Sequence, residues 1–296
     1  MRSVLPAIVC VSAASLCSAC VVVDSQGHIS REEKRFQVTG TPDLRLTTFD
    51  GAIDVRAGEG RDVVVEIEKR GASKETVERL QVDATQDGNR IQVDVKRPAG
   101  DAPFFGIGHH ISPTARLIVT MPRRGNIVAR SGDGSIRIDA VHGRVELRTG
   151  DGSIRAHEIG GQVVLDTNDG SVVLDGVDGD VDLTTGDGSV TVSGKPGALR
   201  VKTGDGSITL RADAGTVMKD DWSVTSGDGG VTVYLPPDFA ADLDAHTGDG
   251  AIRSDLDVTG GTSDDRERRS LRGRLGAGGK VLKIRTSDGS IRLKSG

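Results

Sequence analysis

The sequence predicts an all-β protein: a β-solenoid with coils of about 18 residues and two short strands per coil, preceded by a β-rich cap with one short helix. Three observations predict it. An Asp-Gly pair recurs every 18 residues from Asp133 to Asp205. The five-residue runs on either side alternate apolar and polar residues, as strands with one buried face do. Aromatic residues are only 2% of the chain, so its core must consist of Val, Ile, Leu and Ala.

The repeated unit centres on the stretch TGDGSI, found at Thr149–Ile154 and Thr203–Ile208. A second glycine recurs with the same period, from Gly143 to Gly197, so each unit contains two turns. Ser or Thr always stands two positions before the Asp. Alternation points that hydroxyl inward, where it can bond a backbone group of the corner. The aspartates are Asp133, Asp151, Asp169, Asp187 and Asp205, then Asp228, Asp249 and Asp288 at spacings of 23, 21 and 39.

Stacking is the architecture that explains a fixed period. A solenoid places each unit about 4.8 Å from the last, like residue on like residue. An antiparallel meander explains Asp-Gly turns but not the constant 18. A left-handed hexapeptide helix needs an apolar residue at every sixth position, which the repeats do not keep. The five-residue runs are also too short for an outer-membrane barrel, whose strands need about 9–11 residues.

The N-terminus predicts export. Residues 1–19 form a signal peptide, with Arg2 before an apolar Val4–Ala14 that is too short to span a bilayer. Small residues directly before Cys20 resemble a lipoprotein signal, so we expect lipidation of Cys20; a simple cleaved signal is the alternative. Residues 20–35 then form a tether. The other cysteines, Cys10 and Cys17, precede this site, so the mature chain has no internal disulfide.

The next segment, residues 36–122, is predicted to be a β-rich cap continuous with the repeats. Asp43–Ala57 is a degenerate unit, Ser73 caps a short helix, and a hairpin turns at Asp87-Gly88-Asn89. Residues 102–111, with two Phe and two adjacent His, are expected to plug the end of the core; contact with a partner or a membrane surface is the alternative. Residues 123–296 form the repeats, with a mobile charged loop at 260–279.

These segments occur in an order that resembles a known family. The segments are Asp43–Val55, Ala115–Pro122, the serial G-D-G-S-[IV] units, Val233–Pro237 and Gly278–Lys294. Over 36–294 the chain is similar to the bacterial DUF4097 family of "putative adhesins". The resemblance implies a β-helical or β-solenoid envelope protein, with no catalytic residues to carry over.

Metal chemistry has one weak candidate. Calcium-binding β-rolls need a G-G-x-G-x-D pattern, but its carboxylate would fall on Val190, which alternation places in the core. Stacking nevertheless brings Asp151, Asp169, Asp187 and Asp205 into one column, which we expect to be at most a loose cation site. Each Gly-rich turn leads into a strand, which disfavours phosphate binding, and no cofactor is expected.

The remaining features favour binding over catalysis. No His/Ser/Asp or His/Glu arrangement recurs, and outward columns mix charges, so Arg148 is expected to pair with Asp166 on the next coil. A net charge of −5 without basic runs disfavours nucleic acid. We expect an exported, non-enzymatic protein, lipid-anchored in the bacterial cell envelope on its periplasmic or surface face. Its partner would be an envelope protein or a glycan. Alternatives are an envelope-stress sensing or regulatory module and a glycan-active solenoid enzyme, which needs a concave Asp/Glu cluster.

Overall fold

The all-β class with one short helix is confirmed by a computed structural model, which describes residues 19–24, 27–96, 113–263 and 269–296. Residues 1–18 of the predicted signal peptide and the predicted plug lie outside the described residues. The helix α1 is Lys74–Glu78. The strands before the repeats are β1 (Ala19–Asp24), β2 (Gly27–Phe36), β3 (Asp43–Thr48), β4 (Ile53–Gly58), β5 (Val63–Gly71), β6 (Gln81–Asp87), β7 (Arg90–Lys96) and β8 (Thr114–Pro122).

The strands from residue 126 onward follow the repeats. They are β9 (Asn126–Ser131), β10 (Ile136–Asp139), β11 (His142–Thr149), β12 (Ile154–His157), β13 (Gly160–Thr167), β14 (Val172–Thr185), β15 (Val190–Thr203), β16 (Ile208–Ala212), β17 (Trp222–Ser226), β18 (Val231–Leu235), β19 (Ala241–Thr247), β20 (Ile252–Ser254), β21 (Thr259–Ser263), β22 (Ser270–Leu275), β23 (Val281–Thr286) and β24 (Ile291–Ser295). Strands β14 and β15 each run through the second turn, and their pairing shifts register there.

Equivalent strands pair in parallel and in register at the predicted interval. Val145 lies opposite Val163, and Val163 opposite Val181. After the corner, Ile136 lies opposite Ile154, which lies opposite Val172. The strands before the corners form one row of paired strands, here called ladder A: β7, β3, β9, β11, β13, the second halves of β14 and β15, β17, β23 and β19. The strands after the corners form ladder B: β8, β4, β10, β12, the first halves of β14 and β15, β16, β18, β24 and β20.

The core lies between the two ladders and is built from their inward side chains, as the alternation predicts. It is mainly Val, Ile, Leu and Ala. Trp222 is the largest fully buried side chain; its Nε1 donates to the carbonyl of Gly197 (3.1 Å), and its ring lies 5.3 Å from that of Phe239.

Spatial order departs from chain order at both ends. The unit β3–β4 lies between β7–β8 and β9–β10. The last unit, β23–β24, lies between β17–β18 and β19–β20. The irregular spacings near the C-terminus therefore reflect an inserted unit as well as longer loops.

Antiparallel strands extend the ladders, so the sheet is mixed. Strand β5 pairs with β8, β2 with β5, and β1 with β2. The predicted tether at 20–35 is thus largely strand. Backbone pairing with β5 and β1 orders this polar segment. An exposed ion pair accompanies it, with the guanidinium of Arg31 on β2 lying 2.8 Å from the carboxylate of Glu68 on β5.

The predictions for the cap and the late loop have different outcomes. Ser73 caps α1 by accepting from the Thr76 amide (3.3 Å), and β6–β7 is the predicted hairpin. The charged loop at 260–279 was wrong in part: it contains β22, which pairs antiparallel with β19 and with β21. Residues 264–268 of that loop lie outside the described residues.

Candidate functional site

The corner hydroxyls bond backbone groups, as predicted. Thr149 donates to the carbonyls of Gly132 (3.1 Å) and Gly134 (2.9 Å) in the adjacent unit. The same double contact repeats at Thr167, Thr185, Thr203 and Thr286. These threonines are buried. Each corner is therefore tied to its neighbour by side chain as well as backbone.

The corner glycine is required by close approach. A Cβ on Gly152 would lie 2.3 Å from the carbonyl oxygen of Gly134, far inside van der Waals contact. Gly152 does not have a positive φ. The Asp-Gly pair thus serves tight stacking between units, in addition to turning the chain.

The aspartate column is exposed at the corners. Asp151, Asp169, Asp187 and Asp205 occupy equivalent positions of successive units, and each is exposed. Across 19–24, 27–96, 113–263 and 269–296, no group of three or more His, Cys, Asp or Glu side chains is placed to hold a metal ion. Loose cation binding stays a prediction; an equal melting temperature in EDTA and in millimolar Ca²⁺ would contradict it.

Ion pairs on the outer face of ladder A differ from the expected pattern. Arg148 lies opposite Asp166 in register, but its guanidinium lies 3.2 Å from Glu146 on its own strand. Glu146 also lies 3.4 Å from Arg130 of the preceding unit. The predicted Arg148–Asp166 pair is wrong in its partner, because Glu146 sits between two arginines and attracts both.

A row of hydrogen-bonded side chains around His157, on the outer face of ladder B, was not predicted from the sequence. Nδ1 of His157 lies 3.0 Å from Asp139, and its Nε2 lies 3.6 Å from Asp175. Ser193 in turn donates to Asp175. The hydrogen bond with Asp139 raises the pKa of His157. The signal was available: Asp139, His157 and Asp175 are spaced by 18, as stacked residues must be.

An acidic cleft of about 530 Å³ opens on the outer face of ladder A. Asp180, Asp182, Asp220 and Asp221 line it together with Arg200. Asp180 accepts from the amide of Ala198 (3.1 Å), and Asp221 accepts from that of Val281 (2.9 Å). No sequence pattern predicts this cleft, because Asp220 and Asp221 belong to an inserted loop whose position depends on stacking.

The family model described as Toastrack DUF4097 matches residues 42–294, which include both ladders. The chain belongs to the DUF4097 family. No curated protein matches this DUF4097 chain. In the part of the chain that the structure describes, no helix is long and apolar enough to cross a membrane.

Three solved structures are similar at low identity. A "putative adhesin" from Bacteroides fragilis is 10% identical, with 89% of this DUF4097 chain and 96% of that chain covered and a TM-score of 0.45. A "putative lipid binding protein" from Parabacteroides distasonis is 11% identical, with 89% and 96% covered and a TM-score of 0.46. A "putative adhesin" from Parabacteroides merdae is 13% identical, with 89% and 95% covered and a TM-score of 0.36. At these values the likeness carries no functional assignment.

Proposed function

We propose that this DUF4097 protein is a non-enzymatic binding or scaffolding module of the bacterial cell envelope that presents a rigid β-solenoid. The observation that supports it is the in-register stacking of the ten units found among the described residues. Neighbouring units are joined by backbone bonds and also by corner hydroxyls. Ten units at about 4.8 Å span roughly 43 Å. A stack of this kind offers extended flat surfaces to a partner.

Anchoring is the second part of the proposal. Cys20, as a lipidated first residue, would lie in β1, which is attached to the stack through β2 and β5. The stack would then be held close to the membrane by its β8 end, without a long flexible tether. Mass spectrometry of protein extracted with detergent tests this: we expect a diacyl or triacyl Cys20, absent from Cys20→Ser. An unmodified N-terminus at any residue contradicts the anchor.

The binding role is tested with the mature protein. We expect it to retain one or a few envelope components in a pull-down from envelope extract, with a glycan array beside it. A protein unfolded by heat is the control for nonspecific adhesion. Equal retention by folded and unfolded protein, or an empty result on both platforms, contradicts a binding role.

The acidic cleft supports a second candidate, a glycan-active enzyme. Glycoside hydrolysis uses a pair of carboxyl groups flanking the bond, and the cleft places four together. Asp180, Asp220 and Asp221 each accept from a backbone amide. Asp182 is therefore the first side chain to test, and Asp220, whose bond is to the adjacent residue Asp221, is the second. Release of reducing sugar by the native protein, abolished in Asp182→Asn or Asp220→Asn, would favour catalysis over the proposed binding role.

A further inference from the structure

The outer face of ladder B changes character along the stack. Its last four adjacent strands, β16, β18, β24 and β20, have the sequences ITLRA, VTVYL, IRLKS and IRS. They carry four cations, Arg211, Arg292, Lys294 and Arg253, and no Asp or Glu. The chain as a whole has a net charge of −5. This set of strand faces, here called the basic strip, is therefore positively charged although the chain as a whole is negatively charged.

Like charges are stacked within the basic strip. Arg292 lies directly opposite Arg253 in register, and both are exposed. Like charges facing each other across strands destabilise a sheet. Among the described residues neither arginine forms an ion pair or hydrogen bond through its side chain. Threonine occupies the equivalent position on β16 and β18, at Thr209 and Thr232. The fold thus accepts a neutral residue there, and the two arginines add no internal contact.

The second row of the basic strip is built around Tyr234. The guanidinium of Arg211 lies 4.1 Å from the centre of the Tyr234 ring, and the ammonium of Lys294 lies 5.6 Å from it. Cation–π contacts of this kind orient the two cations on the strand face without neutralising them. Carboxylates begin only beyond the strand ends, at Asp213 and Asp255, and at the corner aspartates.

The first half of ladder B gives a matched contrast. Arg137 and Arg155 also lie opposite each other, at the same strand position as Arg292 and Arg253. There Asp54 lies opposite Arg137, and Asp139 and Asp175 stand on the same strand faces. The earlier arginine pair is thus embedded among carboxylates, whereas the later pair is not.

We propose that the basic strip binds an acidic polysaccharide, a chain of sugars bearing carboxylates. The corner aspartates border the strip along the stack axis, so a linear polyanion would lie parallel to that axis. Arg and Lys would meet its carboxylates, and the Thr209, Thr232 and Tyr234 hydroxyls can bond sugar hydroxyls. The inference rests on the proposed binding function and names its partner class.

Two other anionic partners fit the strip less well. A bilayer surface is usually met by exposed apolar side chains beside the cations, but the exposed large hydrophobic residues of the described chain, Val173 and Val217, lie outside the strip. Single-stranded nucleic acid needs free aromatic faces for base stacking, and the Tyr234 ring lies beneath Arg211.

The experiment measures binding of the mature protein to immobilised polygalacturonate, with fully methyl-esterified polygalacturonate as the uncharged counterpart. We expect binding to the acid form alone, weakening as salt rises. Arg253→Ser/Arg292→Ser should weaken it about tenfold or more, because two contacts with the polyanion are lost. Arg137→Ser/Arg155→Ser removes the same charge at equivalent positions, and should change it by less than about twofold. Far-UV circular dichroism checks that both variants are folded.

Each contrary result has a distinct meaning. Equal losses in the two double variants overturn the basic strip as the site, since net charge alone would then control binding. Binding of phosphatidylglycerol vesicles, but not polygalacturonate, overturns the polysaccharide in favour of a membrane. No binding to polygalacturonate, with envelope components still retained in the pull-down, overturns this inference and leaves the proposed function intact.

Discussion

At the scale of single residues, the corner hydroxyl is the feature with the clearest energetic consequence. Thr203 is 2% exposed, and it donates to the carbonyls of Gly186 (3.0 Å) and Gly188 (3.1 Å). Thr203→Val has nearly the same shape but leaves these acceptors without that donor. We expect the free energy of unfolding to fall by about 1–3 kcal/mol in urea titration. Thr203→Ser, which keeps the hydroxyl, should lose clearly less; equal losses would contradict a role for the hydrogen bonds.

The second turn contains backbone strain that can be relieved. Ala140 (φ 58°) and Glu158 (φ 52°) occupy the left-handed region, and glycine takes the equivalent position at Gly176 (φ 68°). A side chain costs about 1 kcal/mol there relative to glycine. Ala140→Gly is therefore expected to raise the free energy of unfolding by about that amount. Gly176→Ala is the reciprocal control and should lower it; a loss in both variants would contradict the strain argument.

At the scale of elements, Asp244 joins three strands. Its carboxylate on β19 accepts from Arg272 on β22 (3.0 Å) and from Arg285 on β23. Burial acts to raise the pKa of Asp244, but the hydrogen bonds from the two arginines outweigh it and lower the pKa. The ordinary pKa of such a group is 3.8. A lowered pKa in the folded state means that ionised Asp244 stabilises the fold above that value.

This stabilisation should be lost as the pH falls through the folded pKa, below 3.8. Asp244→Asn removes the charge at every pH, and we expect it to lower the free energy of unfolding by about 2 kcal/mol at neutral pH. The difference from the native protein should shrink in acid. Urea titration at several pH values measures it, with Asp242→Asn on the same strand as control. A pH-independent difference would contradict the ionic explanation.

The register of the elements could be predicted from the sequence, but their spatial order could not. The 18-residue period places Val145 on Val163, because equal spacing and alternation fix which residues meet. Nothing comparable determines where the last unit stacks, because the corners at Asp228, Asp249 and Asp288 share the same pattern, a Ser or Thr two positions before an Asp-Gly pair. Apolar and polar alternation predicts which face of a strand is buried, but it does not predict which strands pair with it.

Polar segments that form strands were also predicted wrongly, as a tether and as a loop. Strand β2 has the sequence GHISREEKRF, which lacks a clean apolar alternation and therefore suggested a tether. Its order depends on partners distant in sequence, such as Glu68 for Arg31. Strand β22, in the predicted charged loop, likewise has a distant partner, since Arg272 forms an ion pair with Asp244 on β19. The acidic cleft and the basic strip are likewise products of stacking, so residue types alone could not reveal them.

At the scale of the whole molecule, the inserted C-terminal unit connects the last unit of the stack, β19–β20, to the units before it. Strands β23 and β24 are paired on both sides, with β17 and β18 on one side and β19 and β20 on the other. They bury Leu282, Ile284, Ile291 and Leu293. Each such side chain contributes roughly 1.5–3 kcal/mol when buried. The last unit in the chain therefore holds the preceding one in place.

Deletion of residues 278–296 should accordingly detach β19 and β20 while the units up to β18 remain folded, since each unit contacts only its neighbours. Limited proteolysis should then cleave within 237–276 first, at sites protected in the full chain. A synthetic peptide of residues 278–296 added in trans should restore protection by refilling the gap. The same peptide with Ile284→Asp and Ile291→Asp is the control and should not, because it cannot bury these positions. Unchanged protection in the truncated protein would show that β19 and β20 hold their place without the inserted unit.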